Sequence, residues 1–268
     1  MFTPLDRELE RGWPGRIEGD RVIQLAAQTL QAFFAGGGGA REHAEYQLDE
    51  VRLLAPVLQP PALRLVEAFG ASGSAPLFAF GNPASIVGPE VEVPHPDGVR
   101  ELDFGLGVAA MIGGEGGIAG FTILNDWTAL DLEREERAAG VGPGKSRDFA
   151  TSLGPVVVTP DELGEGRLDL VARVNGEERA RGNLDELSHG WKAILEHVAR
   201  GTELRPGDLL AAGSLRGGRP LEPGDVVELE VERVGVLRNP VGSQVLHFDK
   251  VSDATSPSRI EPGSEGER

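Results

Sequence analysis

Cysteine is absent from the chain, which excludes disulfides and every thiolate metal site. No apolar run approaches the roughly 18 residues that a membrane-crossing helix needs, so no membrane partner is expected. Basic residues are scarce: 26 Lys and Arg stand against 43 Asp and Glu, a formal net charge of −17. That balance disfavours nucleic-acid backbones and anionic membrane surfaces. The opening stretch, MFTPLDRELERGWPGR, carries charges and no apolar core, so it does not read as a secretion signal and a cytoplasmic protein is the expectation. What the chain does have is glycine and proline, 38 and 19, dispersed without a period, which points to many turns between short strands. Hydrophobic residues make up 40% of 268, enough for one large domain, with or without a smaller appendage.

Read along the chain, residues 1–60 form a small N-terminal α/β unit. GRIEGDRVIQL has strand–turn–strand form around Glu18-Gly19-Asp20, and AAQTLQAFFAGGGG is a helix stopped by Gly36 to Gly39. VRLLAPVLQPP is a strand running into a boundary near Gln59-Pro60-Pro61. Residues 61–250 form the main body. Its strand candidates are APLFAF, ELDFGLGVAAMIG, GIAGFTILNDW, GPVVVT, RLDLVARVNGE and DVVELEVERVGVLRN. Helices are few: ALDLEREERAA, whose EREERAA run reads as a solvated face, and LDELSHGWKAILEHVAR with Ser188 as N-cap. The fold class is therefore α+β and β-rich, with a mixed β-roll or barrel-like body. Residues 251–268 are polar, contain proline and are poor in apolar residues, and are expected to be a disordered tail.

AAGVGPGKSRDFATSLGP, residues 138–155, carries Gly144-Lys145-Ser146 and so invites comparison with a phosphate-binding loop. Such a loop needs a buried strand before it and a helix N-terminus after it. Here a charged helix precedes and the β-branched run LGPVVVTP follows, the reverse order. The phosphate reading fails, and Lys145 needs another role.

FGNPASIVGP, ELDFGLGVAAMIGG, GFTILNDWTALDLE, GPGKSRDFATSLGPVVVT, LRPGDLLAAGS and LEPGDVVELEVERVGVLRNPV occur in this order. Together they resemble the fumarylacetoacetate hydrolase family in its shorter bacterial form. The resemblance implies a mixed β roll with a small N-terminal domain, assembled as a homodimer. It implies cleavage of a C–C bond in a β-diketone or acylpyruvate, with relatives that isomerise, hydrate or decarboxylate similar oxo acids. In that family a divalent cation, Mg²⁺, Mn²⁺ or Ca²⁺, acts as a Lewis acid on the substrate oxygens, and a histidine with a carboxylate activates water. Residue by residue, the resemblance makes Asp126 a metal ligand, Lys145 the group that stabilises enolate-like charge, and Thr151 and Ser214 substrate contacts.

The chain departs from that pattern at several positions. The family's other metal ligands are a Glu-x-Glu pair in a strand, a spacing that puts both carboxylates on one face. Here these positions are Gly105 and Gly107. Two glycines on one face are expected to open a cavity at the old metal position. Asp103, one step along, is the candidate for a displaced ligand. The catalytic histidine has no counterpart in LRLVEAFGASGSAPLFAFG, and His43 falls before the preceding strand; His189, His197 and His247 read as surface or packing residues. The arginine expected after the motif aspartate is Leu130, and the following glutamine is Glu133.

Loss of a water-activating base costs about 10²–10⁴-fold in rate, so hydrolysis by the family mechanism is not expected. No tightly held cofactor is expected either; Asp126 with water and substrate oxygens would hold Mg²⁺ or Mn²⁺ only weakly. Without a ligand, Lys145 would pair with Asp126 or Asp148. The expected function is a metal-independent decarboxylase-like or tautomerase-like activity on a small 2-oxo acid or β-diketone. The alternative is a catalytically silent homologue that binds a small molecule or serves as structural partner of an active paralogue.

Overall fold

A computed structural model describes residues 1–67 and 75–243 of the chain. The proposed tail at 251–268 and most of the segment VEAFGASGSAP lie outside the described residues. The N-terminal segment contains β1 (Phe2–Pro4), β2 (Gly15–Glu18), β3 (Arg21–Leu25), α1 (Leu30–Ala35), β4 (Glu42–Gln47) and β5 (Val51–Leu53). β2 and β3 form a hairpin whose turn includes Gly19 at φ +62, in the left-handed region that favours glycine. α1 starts where the Thr29 side chain accepts the Ala32 N–H at 3.1 Å and stops at the glycine run. Phe2, Trp13 and Tyr46 pack ring against ring beneath the small β2-β3-β4 sheet. β4 was not legible in the sequence: EHAEYQ has no apolar alternation, and it forms as an exposed edge strand through backbone pairing with β3. His43 sits on it.

The body continues with β6 (Leu63–Val66), β7 (Phe78–Phe80), β8 (Ile86–Val87), β9 (Leu102–Asp103), β10 (Leu106–Ile112), β11 (Ile118–Asp126), β12 (Thr128–Ala129) and α2 (Leu130–Ala138). There follow β13 (Thr151–Val158), α3 (Pro160–Leu163), β14 (Asp169–Val174), β15 (Glu177–Asn183), α4 (Trp191–Val198), β16 (Leu209–Leu215), β17 (Val226–Val231) and β18 (Gly235–Pro240). A seven-stranded sheet has the order β7-β6-β16-β10-β11-β13-β8, and a four-stranded antiparallel sheet the order β15-β14-β17-β18. The larger sheet is mixed: β6–β16 and β8–β13 are parallel, the other pairs antiparallel. This is a β-rich fold with few helices and a curled main sheet.

β10 explains how the site comes to be buried. Every residue of LGVAAMI is inaccessible. Leu106, Val108 and Ala110 join Ile123, Leu170, Ala172 and Leu229 in the core between the two sheets. Ala109 and Met111 face the other way and pack with Leu63, Leu65, Leu124 and Leu153. A strand buried on both faces reads as an unbroken apolar run, and this one does. Each fully buried aliphatic side chain contributes roughly 1.5–3 kcal/mol, which gives the sheet a rigid centre. Side chains alternate faces along a strand, so Asp126 falls on the same face as Leu124, and its register partner Thr151 on the same face as Leu153.

One helix start needs correcting. Ser188 is not the N-cap of the last helix. The segment divides into a 3-10 turn at Leu184–Glu186, capped by Asn183, and α4, whose N-cap is Gly190. The asparagine side chain accepts a backbone N–H two residues on, which closes a separate turn before the helix can begin.

Candidate active site

The Asn-Asp-Trp triplet fastens three strands together. Asn125 Oδ1 accepts the Gly105 N–H at 2.9 Å, and Trp127 Nε1 donates to Ser152 Oγ at 2.8 Å. The Asp126 N–H donates to the Gly105 carbonyl at 2.9 Å. Asp126 is thereby fixed at the end of β11, facing the loop that precedes β13.

That loop is held from two sides. Glu136 of α2 receives the Ser146 hydroxyl at 2.6 Å and the Gly144 N–H at 2.9 Å. Asn82, from FGNP, donates to both the carbonyl and the carboxylate of Asp148, at 3.0 and 2.9 Å. The serine of Gly-Lys-Ser is therefore an anchor. Arg134, Glu135, Arg137, Ala138 and Ala139 of the EREERAA run are exposed as the sequence suggested, but Glu133 is buried and Glu136 half-buried: three residues along a helix return to the same side, and that side grips the loop. Lys145 points outward, 75% exposed, and pairs with Asp148 at 3.0 Å, one of the two partners anticipated for it.

The side chain that enters the interior is Arg147. Its Nη1 lies 3.0 Å from Asp126 Oδ2 and its Nη2 2.8 Å from Glu133 Oε1, with no side chain of the three more than 8% exposed. Glu133 is shared: Arg137 donates to Oε1 at 2.8 Å and, from its Nε, at 3.0 Å. Arg216, at the end of β16, lies 3.6 Å from Glu133 Oε2. Burial pushes the Asp126 carboxyl above the usual aspartate range, with Arg147 and Arg216 offsetting only part of it. Burial would raise Glu133 too, but Arg147, Arg137 and Arg216 outweigh it and hold that carboxyl below its ordinary value.

Several buried polar atoms of this cluster have no hydrogen-bond partner among the described residues: Asp126 Oδ1, Thr151 Oγ1, Ser214 Oγ, Arg147 Nε and Arg216 Nη1. Buried polar groups are normally paired, so open donors and acceptors on neighbouring residues make this cluster the candidate for holding a small polar molecule.

The two glycines do not leave room at the Cβ position, as the sequence suggested they would. A Cβ on Gly105 would lie 2.6 Å from Ser214 Oγ and 2.9 Å from the Asp126 carbonyl. One on Gly107 would lie 2.8 Å from the Gly213 carbonyl. The neighbouring strands have closed in, and a carboxylate cannot be regained there without moving backbone. Asp103 is committed to backbone through one oxygen, Oδ1 accepting the Phe104 N–H at 2.9 Å and the Gly217 N–H at 3.4 Å, while its Oδ2 is buried without a partner among the described residues. Among the described residues no group of three or more His, Asp or Glu could hold a metal ion. With Asp126 Oδ2 taken by a guanidinium, the residues present do not fit the divalent cation that the resemblance implied.

Sequence reasoning thus placed Asp126, Thr151 and Ser214 on residues that do converge, and Lys145 on one that stands at the edge. It missed Arg147, Arg216 and the part played by Glu133. The signal available was charge: an arginine inside a motif segment, and an acid at a glutamine position, appear together in a chain that has lost two other acids.

Comparison with known proteins agrees with this architecture. The model of the fumarylacetoacetate (FAA) hydrolase C-terminal domain matches residues 62–242. The chain is 28% identical over 256 residues to the oxaloacetate tautomerase YisK of Bacillus subtilis, covering 84% of each protein. Among solved structures it is similar to 5-carboxymethyl-2-hydroxymuconate delta-isomerase from Mycobacterium smegmatis, with a TM-score of 0.76 and 26% identity, over 91% of this chain and 98% of that one. A 2-keto-3-deoxy-D-arabinonate dehydratase, complexed with magnesium and 2,5-dioxopentanoate, shares the fold at a TM-score of 0.75 and 19% identity, over 91% of this chain and 98% of that one.

Proposed function

The chain belongs to the fumarylacetoacetate hydrolase family, and from that premise we propose that it is a tautomerase-type enzyme acting on a small 2-oxo acid. The reaction moves one proton between C3 and the oxygen on C2 and leaves the composition unchanged, so it consumes no water and needs no activating base for one. The observation that carries this reading is Asp126 Oδ1, buried without a partner beside two guanidinium groups. An aspartate whose pKa is raised by burial holds a proton more readily than an ordinary carboxylate, which suits a group that takes and returns one. Arg147 and Arg216 favour the negative charge that gathers on the enolate oxygen. The Thr151 and Ser214 hydroxyls are within the same cluster and orient the substrate, and Lys145 at the rim attracts its carboxylate.

The relatives support this class of reaction: one is a tautomerase of oxaloacetate, another an isomerase of a hydroxymuconate. The test is decay of the enol form of oxaloacetate, followed by ultraviolet absorbance with a chelator present, with released CO₂ measured in the same mixture. Acceleration by the wild type and its loss in Asp126→Asn is the expected result. Release of CO₂ in place of enol decay moves the assignment to decarboxylation.

A silent homologue is the second reading, favoured by one feature: Asp126, Glu133, Arg147 and Arg216 already satisfy much of one another's charge. Binding of oxalate, an enol mimic, without turnover of any 2-oxo acid would support it. The homodimer implied by the family is tested by light scattering.

A further inference from the structure

We infer that Arg147 is the resident cation of this site: its guanidinium takes the place of a divalent metal ion, excludes one, and offers a built-in anchor for a small carboxylate or enolate. Three observations converge on this. The guanidinium bridges Asp126 on β11 and Glu133 on α2 at 3.0 and 2.8 Å, so one oxygen of each carboxylate is already engaged by a cation. Asp126 and Glu133 already face three guanidinium groups, those of Arg147, Arg216 and Arg137, so a divalent ion would add positive charge to a poorly solvated place. The strand positions that would supply further oxygen ligands are glycines whose Cβ positions are filled, so no rearrangement of side chains alone restores them.

The remaining atoms define what is bound. Arg147 Nε and Arg216 Nη1 are buried donors without partners among the described residues, and Thr151 Oγ1 and Ser214 Oγ can donate or accept. Asp126 Oδ1 is an open acceptor in the same place. Four groups able to donate around one acceptor suit a ligand rich in anionic oxygen with a single proton to share, such as an enol or a hydrogen-bonded carboxylate. Each of the two arginines offers one open nitrogen, Nε of Arg147 and Nη1 of Arg216, so together they can meet two such oxygens, and a lysine at 147 would lack the Nε donor. The ligand's identity rests on the tautomerase reading; the exclusion of metal does not.

The experiment uses Mn²⁺ and oxalate as probes on the full chain. Free Mn²⁺ is monitored by electron paramagnetic resonance with and without oxalate, and oxalate binding is measured by calorimetry in a chelator. The expected wild-type result is no loss of the free-ion signal with protein in large excess over metal, and oxalate binding that the chelator leaves unchanged. Arg147→Lys retains a cation and should still exclude Mn²⁺, while oxalate affinity falls about 10- to 100-fold. Arg147→Ala leaves Asp126 without its ion-pair partner and opens space beside Glu133, and should begin to bind Mn²⁺. Wild-type protein that binds Mn²⁺, or that binds oxalate only when Mn²⁺ is present, overturns the inference even without any variant that folds. The two claims separate cleanly: enol turnover that requires Mn²⁺ keeps the tautomerase and removes the resident cation, whereas chelator-insensitive oxalate binding without turnover does the reverse.

Discussion

Arg64 and Asp208 form one buried ion pair, 3.2 Å apart with 7% and 3% of their side chains exposed; Arg147 and Asp126 form another, 3.0 Å apart with 8% and 3% exposed. By residue type, distance and burial they are the same object. Their surroundings differ. Asp208 Oδ2 also accepts the Arg205 N–H at 3.2 Å, closing the Pro-Gly-Asp turn, and Arg64 lies 5.6 Å over the Phe80 ring. That pair locks the start of β16 onto β6. Asp126, by contrast, shares Arg147 with Glu133, which is shared in turn with Arg137 and Arg216. Asp208 Oδ1 is one isolated orphan, whereas Asp126 Oδ1 belongs to a group of them. Burial and pairing therefore do not distinguish a structural pair from a site; the gathering of unpartnered donors and acceptors does.

The comparison breaks if the two aspartates respond alike to the same substitution. Asp126→Asn should lower the turnover of enol by about 10²–10⁴-fold, the range for a lost proton-transfer group. Asp208→Asn should leave the rate of the folded protein unchanged and lower its melting temperature. Steady-state rates beside calorimetric melts decide this, and equal rate losses in both would remove the distinction. Next in size is stability. Arg147→Ala strands the buried Asp126 carboxylate and takes one of three cations from Glu133, and should cost about 3–5 kcal/mol in urea unfolding; Arg64→Ala, which strands Asp208 alone, should cost no more than that. A smaller loss at Arg147 than at Arg64 would mean that water reaches the cluster freely.

This contrast also explains what could be read from the sequence. Strands such as GFTILNDW and DVVELEVERVGVLRN announce themselves by apolar spacing, and turns by glycine and proline, so most of the sheet was legible. Asp126, Thr151 and Ser214 were picked out as candidates because they sit inside motifs. Arg147 also sits in a motif, GKSRDFATS, but nothing in that segment's pattern says that its arginine turns inward and its lysine outward. That outcome depends on Glu133 and Glu136 reaching across from α2, and a contact between helix and loop has no period in the sequence. The cavity expected at the glycines failed for a similar reason. Removing side chains was read as leaving space, yet backbone is free to close when no Cβ holds it apart.

Smaller effects should come from putting those side chains back. Gly105→Ala places a methyl 2.6 Å from Ser214 Oγ and 2.9 Å from the Asp126 carbonyl. Overpacking of that kind costs about 1–3 kcal/mol. Gly142, whose Cβ would meet nothing within 4 Å, is the control, and its change to alanine should be neutral or slightly stabilising by about 0.4–1 kcal/mol. Equal unfolding midpoints for the two variants would show that the strands around Gly105 yield easily, and would reopen that position to a ligand side chain.

The finest test lies in the opposite pH responses of two acids bound to the same guanidinium. Glu133 is held below its ordinary value of 4.5, so it binds fewer protons in the fold than in the unfolded chain. Its stabilising contribution is present above that value and is lost as pH falls through the depressed one. Asp126 is held above its ordinary value of 3.8, so its contribution is full below that value and is lost as pH rises through the raised one. Glu133→Gln should thus be most destabilising at neutral pH, with the gap to wild type shrinking below pH 4.5. Asp126→Asn should gain on wild type as pH rises. Urea midpoints taken across a pH series would resolve the crossing. Two profiles that run parallel would mean that Arg147 divides its charge evenly, and the proton that the proposed reaction needs would then have no preferred seat at Asp126.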